Sequence, residues 1–262
     1  ALIGSANSLG AILGPLLAAG LAFAGLLVPL YAAATFCLMG ALAAALMLRE
    51  PDAHTTARRK GGSDLRFWDP RLRPYLIIWA CFFLIFISLN VLTAFYIQDQ
   101  LGVDDEKRVV RIASLMLISM AVVITVVQGV ILQIWRVSPR VLLRLCGPAF
   151  VVALLLIGFA TSVPMLATGF AFFGLSFALA TPGINGSASL AMKPNEQGAA
   201  AGYLSASNTV GAIAAPVVGT AAYQIAPNAP FLGGAALFFV ISLYALTIKV
   251  QDPTAAPKPS AA

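Results

Sequence analysis

Eight stretches of this 262-residue chain are long, apolar and almost free of charge, and that pattern restricts the fold more than anything else in the sequence. They lie near residues 1–23, 26–48, 74–98, 112–134, 141–160, 164–191, 199–224 and 229–249. The only charges they include, Arg144 and Lys249, sit toward an edge. A run of about 20 apolar residues wound as a helix spans the hydrocarbon of a bilayer and satisfies its own backbone hydrogen bonds there. With 60% hydrophobic and 10% charged residues, the chain also lies outside the range of soluble domains, in which about a quarter of residues are charged. An all-α integral membrane protein follows, with eight spans in this chain.

The loops set the orientation. A formal charge of +6 does not mark a nucleic-acid partner here, because the basic residues flank the apolar runs. Segment 49–73 holds Arg49, Arg58, Arg59, Lys60, Arg66, Arg71 and Arg73, and the next loop on that side holds Arg136, Arg140 and Arg144. With Lys193, Lys249 and Lys258 these make thirteen of the sixteen Lys and Arg, against Lys107, Arg108 and Arg111 on the other side. The positive-inside rule then puts 49–73 and the C-terminus in the cytoplasm, with the chain in the inner (plasma) membrane. The first half of 49–73, PDAHTTARRKGGSD, reads as a flexible loop, and His54 within it as a solvated residue. The second half, LRFWDPRLRPYL, pairs Phe67 and Trp68 with arginines, which suits an interfacial anchor or, alternatively, a regulatory basic patch. Cys37, Cys81 and Cys146 share no metal-like spacing and read as small core residues.

A repeat divides the chain. Asn7, Gly10, Ala11, Ile12 and Pro15 are matched without a gap, 201 positions on, by Asn208, Gly211, Ala212, Ile213 and Pro216. Pro29 and Pro230 keep the register. Small residues recur every four positions in both copies: Gly10, Gly14 and Ala18, then Gly211, Ala215 and Gly219. On a helix that spacing makes one smooth stripe against which a neighbouring backbone can lie, whether as general packing or as a seam clasping two bundles. Spans one and two thus match spans seven and eight, and both copies start from the cytoplasm. The unit is six spans long and repeats about an axis along the membrane normal. Two complete units need twelve spans, so four more are expected ahead of Ala1. The expected organisation is 1–48 as the last two helices of an N-terminal bundle, 49–73 as the central cytoplasmic loop, 74–249 as the C-terminal six-helix bundle, and 250–262 as a disordered, low-complexity tail.

Gly10, Gly14 and Pro15, set in GAILGP, resemble the antiporter motif of the fifth helix of drug:proton antiporters in the major facilitator superfamily. The family follows the proline with a glycine pair where this chain has Ala18 and Ala19. Gly211, Ala215 and Pro216 form the looser copy expected of an eleventh helix. Gly129, Arg136 and Arg140 resemble the family's basic loop motif, with Gln133 near the position of its aspartate. The resemblance covers the whole chain as helices five to twelve. It implies a major facilitator fold and a proton-coupled exporter of hydrophobic or amphiphilic drugs, similar to multidrug and tetracycline efflux pumps, that works by alternating access. A metabolite or sugar carrier of the same fold, and a non-transporting scaffold, are the alternatives.

No constellation points to an enzyme, a metal or a cofactor: the single histidine lies in a loop, and the apolar interiors hold no carboxylate. The resemblance places the proton-carrying acid in the first and fourth helices, upstream of Ala1. What remains for a substrate wall is polar and aromatic: Phe86, Asn90 and Thr93 on the third apolar run, Ser119 on the fourth, Phe173, Phe177 and Asn185 on the sixth, and Ser205 and Asn208 on the seventh. Such groups can line a mostly apolar cavity. They can equally face lipid, bond their own helix or tie two helices together. Pro182 can act as a gating bend or a static kink. The expected partners are the bilayer, a small-molecule substrate and protons, with no nucleic acid and with the chain acting as a monomer.

Overall fold

A computed structural model describes residues 28–47, 65–135 and 137–248, together with Leu17 and Leu21. The first expected span, with Asn7, Gly10, Gly14, Pro15 and Ala18, lies outside the described residues, as do Arg136, the polar half of 49–73 and the tail. The chain divides into two compact units, Ala1–Asp64 and Leu65–Ala262. In the first, α1 (Val28–Met47) is a 20-residue helix with no charged side chain, about 30 Å long and therefore sufficient to cross a bilayer.

Among the described residues the second unit holds six helices: α2 (Arg73–Leu101), α3 (Glu106–Ile134), α4 (Pro139–Gly158), α5 (Val163–Ala191), α6 (Gln197–Ile225) and α7 (Ala229–Thr247). All but α6 are, with α1, apolar enough to count as membrane spans by composition. Local chemistry marks their ends. Prolines stand in the first turn of α2, α4, α5 and α7, where a missing N–H costs nothing. Asp105 caps α3 by accepting from the Lys107 amide at 3.1 Å. Gly102 stops α2 in the left-handed region at φ 62°, a conformation that side chains with a Cβ rarely adopt. Within α3, residues Val127–Ile131 form a π-helical turn that contains Gly129.

The six helices form two copies of a three-helix unit. α5, α6 and α7 begin 90 or 91 residues after α2, α3 and α4 (Arg73 and Val163, Glu106 and Gln197, Pro139 and Ala229). Two of the principal pairings obey the same exchange: α2 packs on α6 as α5 packs on α3, and α4 pairs with α7; α4 packs on α5 far more extensively than α7 packs on α2. A unit of three crossings returns the chain to the opposite side, so the second copy is inserted upside down relative to the first. At the centre, Phe82, Phe150, Phe173 and Phe238 come from α2, α4, α5 and α7, and all are fully buried. Phe150 lies 4.7 Å from Phe82, 5.3 Å from Phe173 and 4.4 Å from Phe238, in stacked and edge-on contacts favourable for aromatic rings.

The α2–α6 seam shows how the helices come so close. Ser207 Oγ donates to the Leu76 carbonyl at 2.6 Å, and Ser88 Oγ donates to the carbonyls of Ala215 and Leu84 at 2.9 and 2.7 Å. Gly211 faces the Ala80 carbonyl and the Leu84 amide so closely that a Cβ could not fit, and a Cβ at Gly219 would lie 2.7 Å from Ser88 Oγ. Ser207, Gly211, Ala215 and Gly219 are four apart and all buried, whereas Pro216 points outward. This corrects the expectation of a seam between bundles: the stripe of the second copy is consumed within one bundle, against α2. The same device recurs elsewhere, with Gly174 against the Met120 carbonyl, Gly183 against Leu142 and Leu143, and Gly147 against Ser242.

Residues 65–72, read from the sequence as an interfacial anchor or a regulatory basic patch, pack into the second unit. Leu65 and Leu72 are buried, and Phe67 stands edge-on to Tyr203 at 5.4 Å, while Trp68 stays exposed. Tyr203 Oη donates to the Leu65 carbonyl at 3.1 Å. Arg71 bridges Asp69 and Glu196 at 3.0 and 3.1 Å, and Glu196 also accepts from the Lys193 amide. The Arg71 guanidinium, then the Lys193 amide, holds the Glu196 carboxyl below the usual glutamate range.

Gly211→Ala is expected to destabilise the bundle by about 1–3 kcal/mol, because backbone atoms of α2 must give way. Gly202→Ala, on the same helix with open space around it, is expected to stabilise by about 0.5–1 kcal/mol. Thermal unfolding in detergent micelles reads the opposite signs, and equal shifts would disprove the seam. For Glu196, whose folded-state pKa is depressed, the stabilising contribution is present above the ordinary glutamate range and lost as pH falls through the folded value. Glu196→Gln is therefore expected to lower the Tm at neutral pH, with the gap to the native chain closing in acid. A gap that persists unchanged below the carboxylate range would show that charge is not its source.

Candidate functional site

Two helices related by the internal repeat, α2 and α5, meet through matched pairs of phenylalanines one turn apart. Phe82 and Phe86 come from α2, and Phe173 and Phe177 come from α5. The Phe86 ring stacks 5.2 Å from Phe173 and lies 5.0 Å from Phe177, which in turn is 6.1 Å from Phe82. Phe82 and Phe173 are sealed in the interior, while Phe86 and Phe177 are half-buried. The junction therefore presents an aromatic shelf with two rings partly open and two holding them from behind. Phe83, 5.7 Å from Phe86, and Trp79, 4.9 Å from Phe83, extend the α2 side.

Polar groups continue both rows. Asn90 is exposed one turn beyond Phe86 and donates from Nδ2 to the Phe86 carbonyl at 2.7 Å. Thr181, one turn beyond Phe177, donates to the Phe177 carbonyl at 3.2 Å, and Asn185 is exposed one turn further on. Positions four apart share a helix face, so each helix carries an aromatic-then-polar row. Among the described helices, Asp, Glu, Lys and Arg occur only in the first or last two turns, and none lies at the shelf. A surface of this kind offers apolar contact, ring faces and a few amide dipoles, and nothing that titrates near neutrality.

Among the described residues, no contact places the remaining candidates on the open side of the shelf. Phe173 is fully buried, so it backs the shelf rather than lining it. Thr93 is buried and donates to the Leu89 carbonyl of its own helix at 2.6 Å, which removes it from a wall. Ser119 donates to Met116 and, at 3.3 Å, to the Ala167 carbonyl across the α3–α5 seam. Ser205 is exposed on α6, and Asn208 beside Ser207 is half-buried. Neither is brought to the Phe86–Phe177 shelf by any ring contact or hydrogen bond among the described residues. Gly129 lies in the π-helical turn, half-buried, and Arg140 lies in the first turn of α4 with its Nε enclosed and without a hydrogen bond.

Sequence reasoning passed over several residues that matter here. Ser207 continues the four-residue stripe of Gly211, Ala215 and Gly219, so its spacing was a usable signal. Tyr96, whose Oη donates to the carbonyls of Ile157 and Gly158 at 2.7 and 3.1 Å, ties α2 to the end of α4. Tyr223 Oη donates to Asp99 Oδ2 at 2.6 Å and closes the far end of the α2–α6 pair. Those partners stand 61 and 124 positions apart in the chain, and no local pattern announces them.

The sequence matches the family model of the Major Facilitator Superfamily over residues 1–147 and again over 114–262. In three dimensions the chain is similar to the crystal structure of the human organic anion transporter MFSD10 (TETRAN), with a TM-score of 0.55 and 21% identity, over 66% of this chain and 40% of that one. The chain thus spans two-fifths of that transporter's length. No curated protein matches the sequence. A family match that reaches both ends of the chain agrees with helices apolar enough to cross a membrane repeatedly and with a six-helix unit built from two inverted triplets; the chain is a multi-pass membrane protein that belongs to the Major Facilitator Superfamily.

Proposed function

We propose that the chain belongs to a secondary active transporter, an exporter of hydrophobic or amphiphilic drugs that exchanges its substrate for protons. The observation that carries this reading is the uncharged aromatic shelf of Phe86 and Phe177 with Asn90, Thr181 and Asn185 beside it. A greasy, ring-lined surface with few dipoles binds apolar organic molecules through dispersion and burial, and tolerates variety in their shape. The antiporter-like run of Gly10, Gly14 and Pro15 supports the drug-exchange type.

In this reading residues 1–48 supply two helices of one bundle, 49–73 the cytoplasmic connection, 74–249 the other bundle and 250–262 a cytoplasmic tail. The protein works as a monomer in the inner (plasma) membrane. The two bundles rock about the bound substrate, so that the shelf faces each side of the membrane in turn. Close seams within the bundle favour motion as a body over internal shear. Because no carboxylate lies at the shelf, the proton in this reading is carried elsewhere in the transporter, and the residues of the shelf bind and release the substrate.

The test uses the complete transporter in proteoliposomes loaded with a pH-sensitive dye, with a panel of amphiphilic cations and neutral drugs added outside. Addition of a substrate is expected to drive protons in the opposite direction to it. Phe86→Ala and Phe177→Ala are each expected to raise the apparent KM about tenfold, equal to about 1.4 kcal/mol of lost apolar contact, with the proton-to-substrate ratio unchanged. Co-directional proton movement would replace exchange with symport, and an unchanged KM in both variants would remove the shelf from the substrate path.

A further inference from the structure

We propose that the recess between α2, α6 and α7 is a binding site for one hydrocarbon chain of a membrane lipid. The recess has a volume of about 240 Å³ and is walled by Leu84, Ile85 and Leu89 of α2, Val218 of α6, and Phe231 and Leu237 of α7. It is distinct from the aromatic shelf: it shares no residue with Phe86, Asn90 or α5.

Its shape comes from missing side chains. Gly219, Gly233 and Gly234 all border it. Gly219 is used for the close approach to Ser88, and a Cβ at Gly234 would already touch Ile85 and Leu154 at 3.2 and 3.3 Å. At Gly233 a Cβ would meet nothing within 4 Å. The empty volume therefore lies over Gly233, in the first half of α7.

Chemistry then selects the guest. No charged residue borders the recess, and its one hydroxyl, on Ser88, shares its proton between the carbonyls of Leu84 and Ala215. Ser88 is only 5% exposed, with its oxygen covered by Gly219. A polar guest would surrender hydrogen bonds to water with nothing in return, whereas an alkyl chain surrenders none. Size excludes a packed helix, which is about 10–12 Å across with its side chains. The volume also falls below the range of drug-sized pockets, roughly 300–1,000 Å³.

Position supplies the source. The recess is bordered by Val218 of α6 and Leu237 of α7, which are 48% and 40% exposed and continue into the exposed apolar flank of these two helices. In a multi-pass membrane protein such an apolar flank is the surface that lipid tails already touch, and the recess continues it inward. A tail lodged there packs across α7 onto the Ser88–Gly219 contact. Lipid then fills a gap left beside the glycine seam.

The experiment reconstitutes the complete transporter in phosphatidylcholine vesicles containing a phosphatidylcholine with a diazirine on one acyl chain, followed by photolysis and peptide mass spectrometry. Adducts are expected on the peptides carrying Leu84–Leu89 and Phe231–Leu237 in excess of those on the exposed α3 positions Val122 and Val126. Gly233→Leu fills the recess from its open side and is expected to cut those adducts roughly tenfold while leaving the α3 adducts unchanged, because two groups cannot share close-packed space. Ala222→Phe reaches the recess from α6 and gives the same reading if Gly233→Leu does not fold. Adducts that persist in the filled variants, or that never exceed the α3 background because another helix plugs the recess, overturn the proposal. Neither outcome depends on which substrate the transporter moves.

Discussion

The bundle depends on backbones approaching more closely than ordinary side chains allow. In a bilayer an exposed leucine loses nothing by facing lipid tails, so the force that gathers soluble helices is absent and association rests on contact and hydrogen bonding. Gly211 against the Ala80 carbonyl, Gly174 against the Met120 carbonyl and Gly183 against the Leu143 amide are all solutions to that problem. Each removes a Cβ so that a main chain can lie against a main chain. Serines supply the directional part: Ser207, Ser88 and Ser176 each reach a carbonyl on another helix. A hydroxyl turned toward a neighbour's carbonyl is satisfied in a medium that offers no water to replace it.

These contacts explain why α2 and α6 behave as one element. Their midsection is held by small residues, one end by Tyr223 and Asp99, and the other by Arg71 and Glu196 with Tyr203 on Leu65. The related pair α5 and α3 is held less tightly. Its interhelical side-chain bonds, from Ser119 and Gln128, are both 3.3 Å, and α3 changes to π-helical winding where Gln128 reaches Ala178. The two triplets thus share a plan and differ in how these seams are bonded. The seam with the shorter interhelical hydroxyl bonds belongs to the helix that carries Phe86 and Asn90.

Much of the fold was legible in the sequence because the bilayer imposes a length and an apolarity that can be read locally. The third apolar run, 74–98, became Arg73–Leu101, and the sixth, 164–191, became Val163–Ala191. The spacing of Gly211, Ala215 and Gly219 was legible too, but not the helix it faces, since a stripe states its width and not its partner. The site was less legible for a similar reason. Phe82, Phe86, Phe173 and Phe177 carry the same local signal, and only the crossing of α2 with α5 decides which two rings open outward. Thr93 and Ser119 looked like wall residues because hydroxyls in a membrane are conspicuous, yet a hydroxyl three or four residues from a carbonyl of its own helix already has a partner. Glu196 was missed for the opposite reason. It stands in a loop where a carboxylate is unremarkable, and its meaning comes from Arg71, 125 positions earlier.

The case of α6 shows what such a reading trades away. It is as long as α2 and α5, yet among the described helices it alone falls short of the apolarity expected of a membrane span. The deficit has a structural cause: Ser207, Gly211, Ala215 and Gly219 occupy the face where a lipid-exposed helix would carry leucine or valine. The outward positions Ile213, Val217 and Ile225 remain strongly apolar, at 72%, 72% and 84% exposure. Averaged hydropathy mixes these two faces and undervalues the helix that packs most closely. A membrane helix that must lie against another backbone gives up apolar bulk on one side, so weak hydropathy between charge-free ends marks a packing helix rather than a loop. Residues 199–224 were legible as a span because they are long and free of charge, and the ungapped match of Asn208–Pro216 to Asn7–Pro15 agreed with that reading.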